Sequence, residues 1–154
     1  MTPTVREARA ADLPRLRALF LATRREAYPW LAPASLRAVD LDAQTEGERL
    51  WVALAADGAL AGFVSLWEPD DFIHHLYVGR AWQRQGVARA LLRALPGWPV
   101  TRYRLKCLRR NAAALAFYQA CGFVEIGAGA GEDGDYLLLE SRGDRPPRAE
   151  ADRK

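Results

Sequence analysis

An apolar segment at residues 72–78 runs into the turn Gln83-Arg84-Gln85-Gly86-Val87-Ala88, and a helical pattern over 87–95 leaves it. This strand–turn–helix succession constrains the chain more than any other feature. The first turn of such a helix presents N–H groups that have no intrahelical partner, together with the positive end of the helix dipole, so it attracts phosphate. Gly86 and Ala88 let the backbone come close to a bulky pyrophosphate where a larger side chain would block it. The turn therefore points to a phosphate-bearing cofactor.

The rest of the pattern supplies the layers around that unit. Residues 5–8 read as a first strand. Residues 11–27 read as a helix, with Leu13, Leu16, Leu19, Phe20 and Thr23 on one stripe and Pro14 in its first turn. Residues 36–41 read as a second short helix. Residues 50–55 and 60–67 pair across a hairpin turn at Asp57-Gly58. Pro96-Gly97 stops the helix that begins at Val87. A strand at 103–108, a helix at 111–121 and strands at 123–126 and 135–140 complete the order. Helices that cross between strands imply an α/β fold on one central sheet. The run Gly129-Ala130-Gly131-Glu132-Asp133-Gly134 matches a dinucleotide fingerprint by letter, but a strand pattern follows it where a helix is required. It reads as a flexible hairpin loop.

The 154 residues suit one domain, expected over 1–141, with a charged, disordered tail at 142–154. The tail holds +2 of the net charge of +3, so the body is close to neutral and argues against a dedicated nucleic-acid binder. Arg102, Arg104, Lys106, Arg109 and Arg110 do cluster, but alternation along a strand is expected to divide them between faces, and no aromatic stacking platform accompanies them. The start of the chain lacks a signal-peptide core, and the longest apolar stretch, 51–67, is broken by Asp57-Gly58, so no membrane span is expected. Cys107 and Cys121 have no metal or redox spacing. They read as small buried residues in a reducing, cytoplasmic setting.

A second segment, 111–123, reads NAAALAFYQACGF. Asn111 is a good N-cap, and Gly122 stands where a left-handed glycine ends a helix. Leu115, Tyr118 and Gly122 share helical spacing, which gives an apolar face bearing a phenol. The two segments in this order, from about Phe72 to Gly127, resemble the GNAT superfamily of acyl-CoA-dependent N-acetyltransferases, in particular its small single-domain members. The resemblance implies a mixed, mostly antiparallel sheet of six to seven strands flanked by helices and splayed between the fourth and fifth strands. It implies acetyl-CoA as cosubstrate, a primary amine as acceptor, direct attack in a ternary complex, no metal, and a monomer or homodimer.

The site residues follow from the same resemblance. The backbone of Leu76, Tyr77 and Val78 is expected to pair with the pantetheine arm as an added strand. The turn Gln83, Arg84, Gln85, Gly86, Val87, Ala88 and Arg89 is expected to hold the pyrophosphate, with Arg84 and Arg89 adding charge and Arg80 a weaker candidate. Asn111 matches an asparagine that contacts the pantetheine arm. Tyr118 matches the tyrosine that donates to the leaving sulfur, which its ordinary pKa near 10 permits. Many protein-acetylating relatives carry a glutamate five residues before the asparagine; here Lys106 stands there and cannot serve as that carboxylate, which counts against ribosomal N-terminal acetylation.

Chemistry sets the remaining demand. An amine of lysine type is mostly protonated at neutral pH, so something must remove its proton. His74 lies two residues before Leu76, as a histidine does in arylalkylamine acetyltransferases, and imidazole can relay a proton near pH 7. His75 and water remain alternatives. The two histidines are neighbours on a strand, so they are expected to point to opposite faces, which argues against one metal site built from both. Glu68, Asp70 and Asp71 read either as an attraction for a cationic acceptor or as a polar loop around Pro69. Tyr28 and Trp30 could line an aromatic acceptor pocket. A non-catalytic acyl-CoA sensor is the alternative function.

Overall fold

The computed structural model describes residues 2–143. Among them, seven strands and four α-helices follow in the order β1 (Thr4–Glu7), α1 (Leu13–Ala27), α2 (Asp40–Gln44), β2 (Arg49–Leu54), β3 (Leu60–Trp67), β4 (Phe72–Val78), α3 (Val87–Arg93), β5 (Arg104–Leu108), α4 (Ala112–Ala120), β6 (Phe123–Gly131) and β7 (Gly134–Ser141). The strands hydrogen-bond in the order β1-β2-β3-β4-β5-β7-β6. The β1–β2, β2–β3, β5–β7 and β6–β7 pairs are antiparallel, and β4–β5 is parallel. This is the mixed, mostly antiparallel sheet flanked by helices that the resemblance implies. The β4–β5 ladder is one register pair long, Phe72 with Arg104.

The chain forms two compact units. The first takes the chain up to Asp70 together with His74–Ala94. Its central strand β3 reads LAGFVSLW and is buried at every position except Trp67, the signature of a strand covered on both faces. Phe63 and Val52 meet Leu16 and Phe20 of α1 and Leu41 of α2 in its core. Asp12 anchors the start of α1: its buried carboxylate accepts a two-pronged bond from Arg6 of β1, at 2.8 and 2.9 Å, and a third from the Arg9 N–H at 2.7 Å. Arg6 above all holds that carboxyl far below its usual value. The Asp57-Gly58 turn forms as expected, with Gly58 at φ +87°.

The second unit takes Asp71–Ile73 and the chain from Leu95. Tyr103, Leu105, Phe123 and Leu139 are among its buried hydrophobics. Cys107 is buried, which pushes its thiol up to about 11, and neither it nor Cys121 forms a disulfide.

Three readings of local structure differ from expectation. The second helix begins at Asp40 instead of Leu36, because the Asp40 carboxylate reaches back to the Arg37 N–H at 3.0 Å and fixes the entry there. The glycine run after Ile126 is strand, not loop. β6 continues to Gly131, and only Glu132-Asp133 turn before β7. Tyr136 lies across Gly129, where a Cβ would stand 2.5 Å from its hydroxyl, so the ring supplies the packing that the glycine lacks. Arg104 and Lys106 both lie exposed on β5, because residues of equal parity share a face. Arg104 pairs with Glu140 at 3.0 Å, and the Lys106 ammonium lies 4.9 Å from the Tyr136 ring. Of the tail expected at 142–154, residues 144–154 lie outside the described residues; Arg142 is tied back, with its N–H on the Gly122 carbonyl at 3.0 Å.

Candidate functional site

The first unit carries the strand, turn and helix singled out in the sequence. Gly79 donates its N–H to Ala61 of β3 at 2.8 Å. Backbone groups alternate between the two edges of a strand, so at this end of β4 Tyr77 addresses β3 and Leu76 and Val78 address the opposite edge; at its start the alternation differs, since the Asp71 carbonyl accepts the Arg104 N–H of β5 at 3.0 Å. Leu76, Tyr77 and Val78 are half-buried. The Val78 carbonyl accepts from Gln83 Nε2 at 3.3 Å, and Gln85 Nε2 donates to Ala81 at 3.1 Å, so two glutamines of the turn brace it.

Two left-handed residues shape the turn, Arg84 at φ +64° and Gly86 at φ +86°. A Cβ built at Gly86 meets nothing within 4 Å, so the space beside it is open. Gly86 opens α3: its carbonyl accepts the Ala90 N–H at 3.0 Å, and the N–H groups of Val87, Ala88 and Arg89 precede that first rung. Val87, Leu91 and Leu92 are buried and fix the helix against the sheet. Gly62 makes that approach possible, since a Cβ there would stand 2.7 Å from the Tyr77 carbonyl oxygen and 3.1 Å from Val87. Arg84 is exposed and Arg89 half-buried. Arg80 faces Glu26 at 3.5 Å across open surface.

The histidines correct an expectation. His74 is exposed and His75 is 4% exposed, as opposite faces require, yet their ring centroids are 4.0 Å apart. Both rings are drawn toward the segment joining α2 to β2. His74 Nδ1 meets Glu48 Oε2 at 2.8 Å, and His75 Nε2 meets Gln44 Oε1 at 3.0 Å. Glu48, His74 and His75 each offer a ligand atom within 4.8 Å of the others. His75 nevertheless has both nitrogens engaged, the second with Ser65 Oγ at 2.9 Å. Burial, followed by the charges of His74 and Arg24, pushes its pKa down to about 3. At neutral pH it is uncharged, donating from Nε2 and accepting at Nδ1. Its chemistry is spent on structure, and His74 is the exposed member of the pair.

Glu48, Gln44 and Ser65 are residues that sequence reasoning missed. Ser65 left a trace, as the one hydroxyl inside an otherwise apolar strand. Glu48 sits among other polar residues in a turn and left none. Glu68 is held by Arg49 at 2.7 Å, which fits the polar-loop reading. Trp30 is 57% exposed and meets Tyr28 edge-on at 5.5 Å.

The second unit carries the other two expected residues. Asn111 caps α4, its Oδ1 accepting the Ala114 N–H at 3.1 Å. Tyr118 is half-buried, edge-on to Phe117 at 5.3 Å and to Phe123 at 5.4 Å. These rings fix the plane of the phenol.

Comparison with known proteins agrees with this architecture. Residues 13–123 match the model of the acetyltransferase (GNAT) family. No curated protein matches the chain. Among solved structures, a GCN5-related N-acetyltransferase from Rhodopseudomonas palustris is 20% identical with a TM-score of 0.69, covering 92% of this chain and 96% of that one. The PaiA N-acetyltransferase of Thermoplasma acidophilum, solved with coenzyme A, is 18% identical with a TM-score of 0.70, covering 92% and 99%. A ribosomal-protein alanine N-acetyltransferase from Escherichia coli is 23% identical with a TM-score of 0.67, covering 96% and 99%.

Proposed function

The chain belongs to the GNAT family of acetyltransferases, and on that premise we propose that it moves an acetyl group from acetyl-CoA to a primary amine by direct attack in a ternary complex. The observation that carries the reading is the open turn at Gly86, which follows β4 and starts α3 with clear space where a side chain would stand. A pyrophosphate placed there meets the N–H groups of Val87, Ala88 and Arg89 and the positive end of the helix, with Gln83, Gln85 and the charge of Arg84 around it. The edge addressed by Leu76 and Val78 suits the pantetheine amides, with Gln83 already bonded to the Val78 carbonyl. Asn111 is assigned a supporting contact to the same arm.

The chemistry then needs three proton events. His74 takes a proton from the acceptor ammonium, and the freed amine attacks the thioester carbonyl. The nitrogen of the tetrahedral intermediate gives its surplus proton to water, the intermediate collapses, the C–S bond breaks, and Tyr118 donates its proton to the departing thiolate. The products are an acetamide and CoA. Bulk solvent restores the Tyr118 proton and takes the one held by His74. The acceptor is a small-molecule or protein amine, and no metal is assigned. The cytoplasmic setting expected from two cysteines without metal or redox spacing is part of this proposal; among the described residues, no helix is long and apolar enough to cross a membrane.

A second reading, an acyl-CoA sensor without turnover, is favoured by Lys106, which stands where relatives place a carboxylate. Replacing Tyr118 by Phe tests the choice. Catalysis predicts a loss of turnover at unchanged acetyl-CoA affinity. Unchanged turnover would remove Tyr118 as the acid.

A further inference from the structure

Glu48 is nine-tenths buried, its side chain 7% exposed, while the His74 side chain that it meets is 38% exposed. The pair is thus a carboxylate beneath an imidazole, with only the imidazole reaching solvent. The contact is made through Nδ1, at 2.8 Å. A carboxylate accepts hydrogen bonds only, so the short contact requires the proton on Nδ1 and leaves the lone pair on Nε2. The second carboxylate oxygen, Oε1, is buried and has no hydrogen-bond partner among the described residues. His74 is therefore the polar group through which this carboxylate is satisfied. His75 lies tilted beside it, ring centroids 4.0 Å apart, is held on both nitrogens by Ser65 and Gln44, and limits how far the His74 ring can turn.

We propose that Glu48 is the positioning residue of the proton acceptor: it holds His74 as the Nδ1–H tautomer, so that Nε2 receives the proton of the acceptor amine. This inference rests on the acetyl-transfer reading above. When Nε2 takes the proton, the ring becomes an imidazolium with both nitrogens protonated, and the Glu48 charge lies against it. The carboxylate stays ionised, and no proton moves to it. The arrangement follows the general logic of a base oriented by a third group. A divalent cation is the competing occupant of the Glu48–His74–His75 cluster. It is disfavoured because His75 offers no uncommitted nitrogen and the Glu48–His74 contact would have to open.

The experiment reads the tautomer directly. Imidazole nitrogen NMR on the full chain at pH 8 should show His74 protonated on Nδ1 in the wild type, with the signal assigned by His74→Asn. Glu48→Ala should lose that preference, and the isosteric Glu48→Gln controls for folding. In turnover assays Glu48→Ala should lower kcat about 10- to 100-fold, short of the 10²- to 10⁴-fold attributed to a general base itself, with the KM for acetyl-CoA unchanged. A wild-type His74 protonated on Nε2, or a tautomer unmoved in Glu48→Ala, would overturn the proposal. So would a zinc-dependent change in the His74 signals that a chelator reverses. Failure of the acetyl-transfer reading looks different: His74→Asn would then leave turnover unaffected or no turnover would exist, while the tautomer result would stand unchanged.

Discussion

Acidification should unfold the first unit through His75. Its imidazole is enclosed by Phe20, Phe63 and Tyr77, bonded to Ser65 and Gln44, and near the charges of His74 and Arg24. Its pKa falls from 6.5 to about 3 on folding. The unfolded chain therefore binds a proton that the folded chain refuses, and stability falls as pH drops through the window between those values. Linkage sets the slope at about 1.4 kcal/mol per pH unit within that window. Integrated from pH 7 to pH 5, the loss is about 2 kcal/mol. At pH 5 the folded form still lies about two units above its own pKa, so the figure depends little on where the lower value falls. Urea unfolding at the two pH values should show this loss in the wild type. His75→Gln removes the titration while keeping polar atoms for Ser65 and Gln44, and it should lose about 2 kcal/mol less over the same interval. Equal losses in the two proteins would refute the argument, whatever their absolute stabilities.

Other perturbations have equally definite outcomes. Gly86→Trp places bulk in the open space at the turn and should abolish calorimetric acetyl-CoA binding while the chain stays folded; undiminished affinity would remove the turn from the cofactor site. Gly62→Ala forces a Cβ to 2.7 Å from the Tyr77 carbonyl oxygen and should lower stability by about 1–3 kcal/mol, measured by urea unfolding, because α3 and β4 must separate. Asp12→Ala removes the carboxylate that joins Arg6 of β1 to the start of α1 and should cost about 3 kcal/mol at pH 7. That contribution is complete above the ordinary carboxylate value and is lost as pH falls below it, so the gap between wild type and variant should narrow in acid.

The strand–turn–helix unit was legible because its signals are local. An apolar run, a glycine and a 3.6-residue period each act within a few residues, and β4 and the start of α3 fall where the pattern puts them. Gly62 was not legible. It reads as one small residue in an apolar strand, and its necessity comes from Tyr77 and Val87, which approach from elsewhere in the chain. The same holds for His74. Its position before Leu76 suggested a base only through the family resemblance, and its partner Glu48 comes from a turn 26 residues earlier with no period or motif to mark it. The two imidazoles defeated the simple alternation rule because their hydrogen-bond partners share one short segment. Asn111 was legible as a helix cap from its residue type alone. Gly129 and Gly131 looked like loop because the sheet pairing with β7, and the Tyr136 ring that covers Gly129, were not visible along the chain.

The central claim is acetyl transfer to an amine, and the most direct measurement is thiol release from acetyl-CoA by the purified chain, read alongside the mass of each acceptor. The panel would hold a polyamine, an arylalkylamine, an amino acid and a peptide with a free N-terminus. The account predicts that thiol appears only with an amine present, in step with a product heavier by one acetyl group, and that Tyr118→Phe suppresses both. Saturable acetyl-CoA binding with no amine-dependent thiol release from any member of the panel would contradict it and leave the acyl-CoA sensor as the function.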